Sequence, residues 1–147
     1  MEIKIIYAST SGNVEIVCER IQKILKENNI KSKLLKAQIA NIDDVKSSPI
    51  TIFATSTWEH GEINPYFDNL LAQMQKTDMS GLRAGFVGLG DLRYEKLLFC
   101  EGIEILKRTF VEKGGEQIST TLKMNGEPYH QLDTIVANWT NSFISKL

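Results

Sequence analysis

Short apolar runs alternate with amphipathic stretches along the chain. Ile3-Lys4-Ile5-Ile6-Tyr7-Ala8 is a β-branched run that predicts a first strand. From Asn13 the period lengthens: Val14, Val17, Cys18, Ile21, Ile24 and Leu25 fall on one helical face, and Asn28-Asn29 ends that helix. Ile30 to Leu35 is a more polar strand, suited to a sheet edge. Residues 37–48 predict a short helical turn around Ile42 and Val45. Ile50 to Thr55 reads as a central strand buried on both faces. Asn64-Pro65 opens a helix, with Asn as cap and Pro at the first helical position, continued by Phe67, Leu70, Leu71 and Met74. Arg83 to Leu89 is the next strand and runs into Gly90-Asp91. Phe99, Ile103, Leu106 and Phe110 mark a long helix closed by Gly114-Gly115. Ile118, Thr120 and Leu122 alternate as a fifth strand, and Leu132, Ile135, Val136, Trp139 and Phe143 form the buried stripe of a last helix.

Strands alternating with helices predict an α/β fold: a doubly wound five-stranded parallel sheet, strand order 2-1-3-4-5, with helices on both faces. Ligands of such sheets lie beyond the carboxyl ends of the strands, where the order reverses between strands 1 and 3. The loops after strands 1, 3 and 4 therefore carry the candidate chemistry.

Composition narrows the setting. At 147 residues the chain is expected to form one domain, 1–147. Seventeen basic residues oppose eighteen acidic ones for a net charge of −1, which argues against nucleic-acid binding driven by bulk charge. No apolar run approaches the ~20 residues of a membrane span, and no secretory leader is recognisable, so a cytoplasmic location away from membranes is expected. The only cysteines, Cys18 and Cys100, form no CxxC, which excludes a disulfide scaffold and a structural zinc site.

The loop after strand 1, Ser9-Thr10-Ser11-Gly12-Asn13-Val14, is short, hydroxyl-rich and opens a helix. It suits an anion at a helix N-terminus, or ordinary capping by Ser11 or Asn13. It has no Lys or Arg and is neither a nucleotide P-loop nor GxGxxG. After strand 3 comes Thr55-Ser56-Thr57-Trp58-Glu59-His60-Gly61, with a Trp offering a flat π-face. Glu59, His60 and Glu62 lack a metal-ligand set, and His60 has no placed acid–base partner. After strand 4 comes Gly88-Leu89-Gly90-Asp91-Leu92-Arg93-Tyr94-Glu95, whose glycines permit close backbone approach and whose Tyr94 is a second aromatic at this edge. A phosphate nest beside two aromatic loops suits a flat heteroaromatic ring tethered to a phosphate. No ribose-binding acid follows a second strand, which disfavours a dinucleotide.

With these motifs in order, the chain resembles a short-chain flavodoxin over its whole length. Ser9-Thr10-Ser11-Gly12-Asn13 resembles the family's FMN phosphate loop. Ser56-Thr57-Trp58 resembles the loop bearing the inner stacking aromatic. Gly88 to Tyr94, including Leu89, Gly90 and Asp91, resembles the loop bearing the outer stacking Tyr, with Asp91 near the pyrimidine edge. Phe99-Cys100 resembles the start of the following helix. The resemblance implies noncovalent FMN as cofactor, contacted also by residues 14, 59 and 61. It implies low-potential one-electron transfer by a monomer between redox proteins, such as a flavodoxin reductase as donor and an acceptor enzyme. The rival reading is a flavodoxin-like specialist: a ribonucleotide reductase activator or a small FMN reductase. A signalling receiver domain would need an acidic pair where Tyr7-Ala8-Ser9 stands. Four departures mark this chain: Val14 in place of the usual Thr, Glu59 where many members have Gly, two extra residues between Tyr94 and Phe99, and a nearly neutral net charge.

Overall fold

The computed structural model describes residues 2–58, 61–93 and 98–147. The elements are β1 (Glu2–Ala8), α1 (Asn13–Glu27), β2 (Lys31–Lys36), α2 (Ile42–Lys46), β3 (Ile50–Trp58) and β4 (Glu62–Ile63). A 3-10 turn (Pro65–Phe67) then leads into α3 (Asp68–Met74), followed by β5 (Arg83–Gly90), α4 (Glu101–Glu112), β6 (Glu116–Gln117) and β7 (Leu122–Asn125). A π-helical turn (Leu132–Val136) leads into α5 (Ala137–Ser145).

The sheet runs β2-β1-β3-β5-β6, with β7 also pairing β5 in parallel and β4 antiparallel to β3. This is the predicted doubly wound order, with the fifth position shared by β6 and β7. Side chains alternate across the strands and bury both faces. Ile3, Ile5 and Tyr7 join the core under α1 and α5, while Ile6 and Ala8 join the core under α3 and α4. Phe53, Phe86 and Phe110 pack as a triangle in the second core, with ring centroids 5.7–5.9 Å apart. Trp139 lies in the first core, stacked on Phe143 at 5.2 Å.

Register brings the strand ends level. Ala8 pairs with Thr55, Ser56 with Leu89, and Gly90 with Asn125. The loops that follow therefore open at one edge.

Two expectations need correction. The alternation of Ile118, Thr120 and Leu122 predicted a continuous strand, yet the ladder breaks between β6 and β7. Three steps along β5, from Ala84 to Val87, are matched by five on the edge, from Gln117 to Leu122. Ser119 takes a left-handed φ of 64° there, so the edge bulges and the alternation reflects burial of Ile118 and Leu122 without regular pairing. Ile135 was expected in the buried stripe but is 44% exposed. It lies in the π-helical turn, where the wider winding breaks the 3.6-residue spacing on which the stripe was drawn.

Candidate functional site

A cleft of about 630 Å³ opens at the carboxyl edge. It is lined by Thr10, Ser11, Asn13 and Val14 from the loop after β1, and by Ser56 and Thr57 from the end of β3. Leu89, Gly90, Asp91 and Arg93 line it from the end of β5, and Gly126 and Glu127 from beyond β7. Three loops chosen from sequence thus meet in one cavity.

At the β1 end, α1 begins at Asn13 without any side-chain cap, so Ser11 and Asn13 are not its caps. The cap position is Gly12, with φ +91°, a left-handed conformation that glycine reaches at little cost. A Cβ there would meet nothing within 4 Å, so the glycine serves the turn and not close packing. The uncapped first turn leaves backbone N–H groups at the positive end of the helix dipole. Ser9 lies just behind the cleft, where its Oγ accepts the Gly12 N–H at 3.1 Å. Val14 is buried against the first core while also touching the cleft.

At the end of β3, Ser56 Oγ accepts from Asn64 Nδ2 at 3.2 Å, and Thr57 Oγ1 accepts the Gly102 N–H at 3.0 Å. Gly102 is required by close approach: a Cβ would stand 2.8 Å from the Ser56 carbonyl oxygen. Trp58 follows, 42% exposed, and pairs through its backbone with Glu62 of β4. It follows Thr57 of the cleft lining without lining the cleft itself, and it belongs to neither core. Gly61, with φ +75°, packs against Leu98. Glu59, His60 and Tyr94 lie outside the described residues, as do Glu95 and Lys96.

The loop after β5 is held from two sides. Arg93 grips Asp91 with Nη2 to Oδ2 at 2.7 Å, and its backbone N–H donates to Oδ1 at 2.9 Å. These hydrogen bonds, with the guanidinium charge, hold the Asp91 carboxyl below the usual carboxylate range. From the other side Asn125 Oδ1 accepts the Leu92 N–H at 2.8 Å, and the Gly126 N–H donates to the Gly90 carbonyl at 2.9 Å. Phe99 and Cys100 pack beneath Gly90 and support the loop from behind the cleft. Cys100 is fully buried, with a left-handed φ of 55° at the cap of α4.

The sequence reading missed Gly126 and Glu127. Asn125 ends β7 at the same edge and Gly126 takes φ +73°, an Asn-Gly turn signal that the sequence carries.

The residues fit a phosphorylated flavin. The volume lies in the ~300–1,000 Å³ range of small-ligand sites. One end offers uncapped amides and hydroxyls, and the other offers backbone close to glycines. Among the described residues no cluster of three His, Cys, Asp or Glu could hold a metal ion.

The comparisons agree with this geometry. The family model for flavodoxin matches residues 5–139. The chain is 28% identical to a probable flavodoxin 2 of Bacillus subtilis, over 99% of this chain and 95% of that one. It is 31% identical to a MioC homolog of Haemophilus influenzae, over 100% and 99%. The crystal structure of oxidised flavodoxin 2 from Bacillus cereus superposes with a TM-score of 0.92 at 26% identity, covering all of both chains. The chain belongs to the flavodoxin family of FMN-binding electron-transfer proteins.

Proposed function

We propose that this chain is a single-domain, monomeric carrier that passes single electrons at low potential on noncovalently bound FMN. The flavin supplies the one-electron chemistry, and the protein supplies binding, orientation and electrostatics. The observation that carries this reading is the meeting of the uncapped start of α1 with the hydroxyls ending β3 in one cleft. Thr10, Ser11, Gly12 and Asn13, with Ser56 and Thr57, bind the phosphate through neutral donors. Leu89, Gly90 and Asp91 would hold the ring through backbone groups, and Trp58 would supply an aromatic face; the family resemblance assigns the second stacking aromatic to Tyr94. The exposed surface at Trp58, where β3 ends, would be open to protein partners: a donor such as a flavodoxin reductase, and an acceptor enzyme.

A carrier needs no acid, base or nucleophile of its own. Burial pushes the Cys18 thiol up and so suppresses its thiolate. Burial and the Glu15 carboxylate that it donates to push Tyr7 up to about 12, keeping its proton in place. Asp91 is neutralised locally by Arg93, and the near-zero net charge gives weaker long-range steering than a strongly acidic carrier would have. A cytoplasmic setting suits such partners, and no helix among the described residues is long and apolar enough to cross a membrane.

The test is the purified protein's visible spectrum together with its NADPH oxidation. Flavin absorption bands with slow NADPH oxidation until a separate reductase is added support a carrier. A protein that takes up no FMN refutes the flavin site. Rapid NADPH oxidation by the chain alone refutes the carrier in favour of an FMN reductase.

A further inference from the structure

Asn64 is fully buried although polar, and it sits outside the cleft. Its oxygen is assigned by chemistry. Pro65 has no N–H, so the first donor available in the following turn is Tyr66, whose N–H reaches Asn64 Oδ1 at 3.0 Å. An N–H can only donate, so the amide oxygen must face Tyr66 and the amino group must face Ser56. That amino group can only donate in turn, and it meets Ser56 Oγ at 3.2 Å. Ser56 Oγ is thereby an acceptor on its inner side. Among the described residues its hydrogen has no acceptor, and Ser56 lines the cleft. The hydrogen is left to donate into the cleft, next to the uncapped start of α1.

We propose that Asn64 is a positioning residue that sets the Ser56 hydroxyl as a hydrogen-bond donor toward the anionic end of the cofactor. This rests on the FMN site proposed above. At this end of the cleft the lining residues carry no Lys or Arg, so the direction of each hydroxyl decides whether an anion meets a hydrogen or a lone pair. A serine free to rotate would spend part of its time with the lone pair outward; the amide behind it removes that state.

The test is a cycle of four apoproteins: parent, Asn64→Ser, Ser56→Ala and the double variant, each titrated with FMN and with riboflavin, which lacks the phosphate. Asn64→Ser keeps an N-cap for Tyr66 but is too short to reach Ser56. Each single variant should lower the preference for FMN over riboflavin by roughly three- to tenfold, with riboflavin affinity unchanged. The double variant should be no worse than Ser56→Ala alone. Equal weakening of both flavins in Asn64→Ser, or effects that multiply in the double variant, would overturn the proposal. A parent with no preference for FMN would instead overturn the site reading beneath it. Should Asn64→Ser fail to fold, Asn64→Asp keeps cap and length while offering Ser56 an acceptor. Its loss of preference should then shrink in the Ser56→Ala background, and an undiminished loss would overturn the proposal.

Discussion

The two ends of the cleft are built differently. The end at β1 and β3 is neutral and backed by buried groups: Val14 is 2% exposed and Asn64 fully buried, and the Gly102 N–H supports Thr57 from α4. The end at β5 is charged and open, with Leu92 40% exposed and the Arg93 side chain 77% exposed beside Asp91. One end rests on strand and helix termini fixed by two cores, the other on a loop tied down by Asn125 and an ion pair. The division suits a carrier. The anchor must not move between redox states, whereas the ring edge must be reachable by partners.

That contrast can be broken by substitution. Gly102→Ala should have the largest effect, because the new Cβ would stand 2.8 Å from the Ser56 carbonyl oxygen and press α4 off the end of β3. A cost of about 1–3 kcal/mol is expected, seen as a lower melting temperature together with weaker FMN binding. The matching change at the open end, Leu92→Ser, should stay within about 0.5 kcal/mol, as exposed positions do. Comparable losses at both positions would erase the distinction.

Trp58→Ala comes next. Losing one aromatic face should cost about 1 kcal/mol of ring binding, so FMN and riboflavin should both weaken several-fold with their ratio unchanged. Titration with both flavins reads this, and a loss confined to FMN would move Trp58 to the phosphate end. An effect of similar size but opposite sign is expected of Val14→Thr, which adds a hydroxyl beside the first turn of α1. FMN should tighten by roughly 0.5–1.5 kcal/mol with riboflavin unmoved. Tighter riboflavin binding would show that residue 14 serves the ring.

Much of this was legible in sequence, for identifiable reasons. Strands β1 and β3 are rich in β-branched and aromatic residues, β5 is a short apolar run punctuated by glycines, and α1 and α4 carry clean helical stripes, so fold and order followed. The three loops were found because the switch-point rule says where to look. What escaped depended on tertiary geometry. The break between β6 and β7 is a register event that alternation cannot reveal, and the π-helical turn shifts Ile135 out of its stripe. Gly126 and Glu127 reach the cleft because β7 pairs with β5 at Gly90–Asn125, a contact absent from local pattern. The Asn64-Pro65 pattern marks a helix cap, which Asn64 is, but its second hydrogen bond, to Ser56, links separate elements and leaves no local signal.

The central claim is that a phosphate-bearing flavin is anchored by neutral donors where β1 and β3 end. Titrating the apoprotein with FMN and then with riboflavin, following quenching of flavin fluorescence, tests it most directly. The account predicts one FMN per chain and a riboflavin affinity lower by tenfold or more, since several hydrogen bonds of about 1 kcal/mol each are lost together. Equal affinity for the two flavins would contradict it.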